Sequence, residues 1–190
     1  MDTATPYYTI ITLSVLITGL SMVVEKQLKI IKEGKNLNNI VIAICRFFHF
    51  GMFFYFSLFA LVFPLKDGYV YMVLALTMMI SWYIHEYCII NYYELKYGYD
   101  VDHTLYLTTF HPPIYSLCQG EHYSNIAMNT MGVCMVLNTS YIVYSLKAIP
   151  IGLKLLYVVL FGFFLVDSVL KNRIGGGLKY NPKPPPFIVC

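Results

Sequence analysis

Five apolar stretches of bilayer length dominate this chain, at residues 7–24, 40–63, 69–90, 124–146 and 149–170. A helix rises about 1.5 Å per residue, so roughly 20 apolar residues cross the ~30 Å of hydrocarbon in a membrane. Lipid offers no partner to an unpaired backbone group, which makes each stretch helical. The expected fold is therefore all-α, an integral membrane bundle of about five transmembrane helices. It comprises residues 1–174, with a long third loop between the third and fourth spans.

Composition supports lipid as the solvent. The 190 residues are 58% hydrophobic and only 12% charged, with a mean hydropathy of +0.62. An ordinary soluble domain carries about 25% charged residues, and a soluble fold of this size could not cover so much apolar surface. Many of the 18 tyrosines stand where apolar runs begin or end, as at Tyr7, Tyr8, Tyr69, Tyr71, Tyr92 and Tyr93, where amphipathic rings favour the headgroup layer. A net charge of +3, without a basic stripe on a soluble face, excludes a nucleic-acid partner. The first apolar run is followed by lysines instead of a small-residue cleavage site, so it is expected to remain as an anchor.

The placement of Lys and Arg gives an orientation. One set of alternating loops holds Lys26, Lys29, Lys32 and Lys35, then Lys96, then Lys171, Arg173, Lys179 and Lys183. The other holds only Lys66, Lys147 and Lys154. Positive charge collects on the cytoplasmic-type face, which puts the N-terminus outside and the C-terminus inside. A rival sixth crossing by residues 105–117 is short, is broken by Pro112 and Pro113, and would put the basic tail on the wrong side. An interfacial aromatic segment is preferred there, with Asp102 as N-cap of a short helix. The third helix is expected to outlast the membrane through Tyr92, Tyr93 and Glu94 until Gly98, projecting into the inner aqueous layer. The fourth carries Asn125, Asn129, Thr130, Gly132, Asn138, Thr139 and Ser140, which suits the centre of the bundle.

Residues 175–190 read as a Gly hinge and a Pro-rich extended tail. Its Lys179, Tyr180, Pro182, Pro184, Pro185, Pro186 and Phe187 are the candidate partner-binding residues. Lys26, Lys29, Lys32 and Lys35, interleaved with Leu28, Ile30 and Ile31, form a basic amphipathic segment suited to an anionic membrane surface.

All five histidines fall on the inner side of this topology, near Glu86, Asp100, Asp102 and Glu121. Imidazole and carboxylate ligands suit zinc or non-haem iron, so His85, Glu86, His103, His111 and His122 are candidate metal ligands, with His49 on the preceding helix able to face His85. Neither paired histidine boxes nor an HExxH motif fixes a ligand spacing, because Ile89 stands at the second-histidine position after His85 and Glu86. Capping and anchoring of helix ends is the preferred role, no cofactor is expected, and no catalytic residue is assigned. Arg46, two turns into the second span, is expected to snorkel to the inner headgroups. Asp167 stands one turn before Lys171 and can pair with it. Five cysteines without CxxC spacing read as buried small hydrophobes. The acceptor-like triplet Asn138-Thr139-Ser140 lies within a span, beyond the reach of a glycosyltransferase.

The run Trp82, Tyr83, Ile84, His85, Glu86, Tyr87, Cys88, Ile89, Ile90, Asn91, Tyr92, Tyr93, Glu94 resembles a Trp, His, Cys, Glu signature of small multipass proteins of unknown function from large nucleocytoplasmic DNA viruses. The resemblance implies a virion membrane or minor capsid protein in an internal membrane, with lipid and neighbouring structural proteins, capsid proteins among them, as partners. It implies no catalytic role. A non-enzymatic scaffold is thus the first functional expectation. A membrane-embedded metalloenzyme built on His85, Glu86, His103, His111, Glu121 or His122 is the second, and a small transporter or channel lined by the fourth span and Arg46 is the third.

Overall fold

The computed structural model describes residues 4–27, 36–85, 89–98 and 121–170. Its elements are α1 (Thr5–Gln27), α2 (Asn36–Val62), a 3-10 turn (Leu65–Asp67), α3 (Gly68–His85), α4 (Ile89–Gly98), α5 (Glu121–Ser145) and α6 (Ile151–Leu170). Every regular element among the described residues is helical. Two helices are long and apolar enough to cross a membrane on these residues, over Thr5–Val24 and Asn38–Val62.

The boundaries have local causes. Pro64 follows the end of α2, and its missing N–H and fixed φ suit the start of the 3-10 turn, not the continuation of a helix. Pro150 stands immediately before α6, where its carbonyl accepts from the Lys154 N–H at 3.2 Å. Gly98 closes α4.

Helix directions alternate. The Tyr7 hydroxyl donates to Asp67 Oδ2 at 2.5 Å, and the Tyr7 ring meets Phe63 edge-on at 4.8 Å, so the start of α1 lies beside the end of α2. Ser21, late in α1, meets Arg46, early in α2. Tyr157 of α6 donates to the Met72 carbonyl of α3 at 3.2 Å, while Phe164 packs against Tyr83 at 5.3 Å, which sets these two helices parallel. Gly68 abuts Ile142 and Leu146, placing the start of α3 at the end of α5.

The hub of the bundle is α2, with α1, α4 and α5 packed along it, whereas α3 pairs chiefly with α6. This corrects the expectation that the helix of Asn138 holds the centre. One face of α5 is inward, with Met131, Met135, Asn138, Thr139 and Ile142 buried. Its other face leaves Val133, Leu137, Tyr141 and Tyr144 exposed. A helix rich in aromatics fills the middle instead, because Phe56, Phe59, Phe63 and Tyr71 interlock as one aromatic cluster that small residues could not build.

A second correction concerns the third helix. α4 packs along α2, with Glu94 beside Arg46, instead of projecting from the bundle. Glu94 is completely buried beside Arg46, ten residues or roughly 15 Å into α2. The reason is electrostatic: a carboxylate within reach of a buried guanidinium is drawn to it, because each charge offsets the other's loss of water. The proposed interfacial segment at 105–117, Asp102, and the 175–190 tail lie outside the described residues.

Candidate functional site

The most concentrated chemistry among the described residues is a buried polar network joining α1, α2 and α4. Arg46 and His49 stand one turn apart on α2, so both side chains leave the same face. Glu94 of α4 receives both. Arg46 Nε donates to Glu94 Oε1 at 2.7 Å, and His49 Nδ1 lies 3.1 Å from Glu94 Oε2. The second arm of the guanidinium, Nη1, donates to Ser21 Oγ at 3.1 Å, and that hydroxyl passes its own proton to the Thr18 carbonyl at 2.9 Å. One side chain thereby stitches three helices together. Arg46, Glu94 and Ser21 are completely buried, while the His49 side chain is 16% exposed.

This geometry overturns the snorkelling expected of Arg46. A guanidinium reaches for headgroups only when no anion is nearer; here Glu94 supplies one inside the bundle. Charged hydrogen bonds of this length are the stronger kind, and removal of one partner would strand a charge away from water. With both carboxylate oxygens occupied, Glu94 is held in one orientation and is suited to clamping α4.

α1 contributes more than Ser21. Ser14, Thr18 and Ser21 form a buried stripe of small polar residues at helical spacing, and Ser14 Oγ donates to the Ile10 carbonyl at 2.7 Å. The opposite faces carry exposed Val15, Leu16, Leu20 and Val23. Ser21 is 0% exposed and Leu16 62% exposed, so between Ser14 and Val23 the helix is apolar outside and polar inside.

A second polar junction lies farther along α2. Asn138 Nδ2 donates to the Phe56 carbonyl at 2.7 Å, and the Ala60 N–H donates to Asn138 Oδ1 at 3.1 Å. These are the two backbone groups that an undisturbed helix pairs with each other. The burial of Asn138 agrees with reading its glycosylation-like triplet as inaccessible.

Most residues singled out from sequence lie elsewhere. His85 is the last residue of α3 and His122 the second of α5, with side chains outside the described set. Glu86, His103 and His111 fall wholly outside it, and the expected facing of His85 and His49 has no described geometry. The described residues contain no group of three His, Cys, Asp or Glu side chains able to hold a metal. Lys26 is exposed in the last turn of α1; Lys29, Lys32, Lys35, and the tail residues Lys179 to Phe187 lie outside the described residues, as does Lys171. Glu94 is the functional residue that sequence reasoning missed. The available signal was a lone acid four residues beyond an apolar helix end, together with a lone base inside an apolar run. Compared with known protein families, characterised proteins and solved structures, the chain matches none.

Proposed function

We propose that this chain is a multipass integral membrane protein that acts as a non-enzymatic scaffold, of the virion membrane or minor capsid type, linking an internal membrane to a protein shell. The observation that carries the membrane reading is the inverted polarity of the second half of α1: Ser14, Thr18 and Ser21 inside, Val15, Leu16, Leu20 and Val23 outside. In water that arrangement exposes the wrong face; in lipid the apolar side chains meet their solvent and the hydroxyls pack helix to helix. The exposed apolar surface of α6, with Ile151, Leu155, Val159 and Val166 outward, supports the same solvent. Alternating helix directions support five crossings by α1, α2, α3, α5 and α6, with α4 at the inner end. The scaffold role draws on the residue 82–94 signature and on the basic and proline-rich segments, which offer contact surfaces on one side of the membrane.

Its test is cross-linking and imaging of the assembled particle. Lys179 to Cys190 should contact a neighbouring structural protein, and a chain ending at residue 178 should reach the membrane but fail to enter the particle. Normal incorporation of the truncated chain would reject the scaffold role. A transporter is the second reading, favoured by the Arg46–Glu94–His49 cluster, since ionisable groups inside a membrane bundle commonly serve ion pathways. Ion flux in proteoliposomes that is lost in Glu94→Gln would favour it over a scaffold.

A further inference from the structure

Between the Arg46 network and the outer end of α2, one turn of the helix gives its backbone bonds to side chains of neighbouring helices. An α-helical rung joins the carbonyl of one residue to the N–H four residues on, which on this turn means Phe56 and Ala60. The Ala60 N–H donates to Asn138 Oδ1 at 3.1 Å. The Phe56 carbonyl accepts from Asn138 Nδ2 at 2.7 Å and from the Tyr71 hydroxyl at 3.3 Å. That hydroxyl also pairs with the Asn138 side chain, so the two act together on the same turn. A carbonyl oxygen has two lone pairs, and these two donors fill it without Ala60. Asn138 Nδ2 reaches the next carbonyl as well, that of Ser57, at 3.4 Å. One turn later the regular pattern is back, with the Phe63 N–H donating to the Phe59 carbonyl at 2.9 Å. The irregularity is confined to the turn that faces Asn138 and Tyr71.

A side chain that enters the backbone ladder is one of the few causes of a kink in a helix. Inside a membrane an opened rung survives only where neighbouring helices satisfy the freed groups. The Asn138 amide can do so alone, because it carries a donor and an acceptor like a peptide group. We infer that Asn138 opens the Phe56–Ala60 rung and makes this turn a joint in α2. On one side stands the inner segment, where Arg46 and His49 hold Glu94 of α4. On the other stands the outer segment, where Phe59 and Phe63 stack at 5.5 Å within the aromatic cluster. The joint lets the inner segment tilt against the outer one without breaking a rung of either. Withdrawal of Asn138 closes it, because the Phe56 carbonyl is then the nearest acceptor for the Ala60 N–H, and α2 becomes a continuous helix. The inference stands whether the chain is a scaffold or a transporter, because it concerns the mechanics of the hub helix.

Solid-state NMR of the full chain in lipid bilayers, with isotope labels in the Phe56 carbonyl carbon and the Ala60 nitrogen, measures the rung directly. A closed rung sets these two atoms about 4 Å apart, the sum of an N···O contact and a C=O bond. The wild type should show a separation longer by about 0.5 Å or more, past hydrogen-bond range, and Asn138→Leu should show the closed value. Proline substitution gives a second readout that does not need the Asn138 variant to fold. Proline inside an intact helix removes a rung and clashes with the carbonyl one turn back, so Ala43→Pro in the inner segment should abolish the folded protein. Ala60→Pro meets a rung that is already open and gives up only the contact to Asn138. It should fold, with a thermal midpoint in detergent lowered by about 2–4 °C. A wild-type separation of about 4 Å overturns the inference. So does an Ala60→Pro protein as damaged as Ala43→Pro, because that result would mean the rung is intact.

Discussion

Arg46 shows how a single side chain can organise a bundle. Its guanidinium contacts Glu94 and Ser21 from two nitrogens and is completely buried while doing so. Replacing it with leucine strands the Glu94 carboxylate; Arg46→Leu should therefore destabilise the protein by roughly 3–5 kcal/mol, measured by unfolding in mixed micelles. Replacing both partners with apolar residues removes the uncompensated charge, so Arg46→Leu combined with Glu94→Leu should be less damaging than Arg46→Leu alone. Gly68 makes a steric point at the same scale. A Cβ there would lie 2.8 Å from Ile142 Cγ2 and 3.2 Å from Leu146 Cδ1, so Gly68→Ala must push α3 from α5 and should cost about 1–3 kcal/mol in the same assay. The sequence marked Arg46 as expensive to bury, but its partner lies 48 residues away on a different helix. Only packing could choose Glu94 over a headgroup.

Among the elements, α1 and α5 divide the same chemistry in different ways. The polar residues of α5 were plain from sequence because they are many; those of α1 were hidden among aliphatic neighbours. Yet Ser14, Thr18 and Ser21 form the more regular buried stripe. A polar group on the outward face of α1 should be far less tolerated than one on the inward face. Leu16→Asp should reduce membrane insertion by about 2.5–3.5 kcal/mol in a translocation assay, and Thr18→Ser should have little effect. On α5, Asn138 occupies both the Phe56 carbonyl and the Ala60 N–H of α2. Asn138→Leu releases that bridge and should cost about 1–2 kcal/mol in unfolding, the range of interhelical hydrogen bonds in membranes. Two helix boundaries are legible: Pro64 and Pro150 act locally, through a missing donor and a fixed φ, and need no tertiary partner to end or start a helix.

For the whole molecule, the proposed five crossings, being an odd number, place the two termini in opposite compartments. Reporter fusions at Met1 and Cys190 should therefore report different sides, and the protein should resist extraction by alkaline carbonate. Termini found on one side would reject the threading. What the sequence determined by itself is the helical class, since long apolar runs leave the backbone no other way to satisfy its hydrogen bonds away from water. The nearest-neighbour signals of Pro64 and Pro150 likewise set the end of α2 and the start of α6. What only the tertiary structure decided is which helix is central, where α4 packs, and which charges meet. Those outcomes depend on the mutual fit of side chains far apart in the chain: the aromatic cluster that makes α2 the hub, and the Glu94 carboxylate that finds Arg46 and His49 only when α4 lies against it. Hydropathy is a sum over neighbours along the chain and carries no record of such pairings.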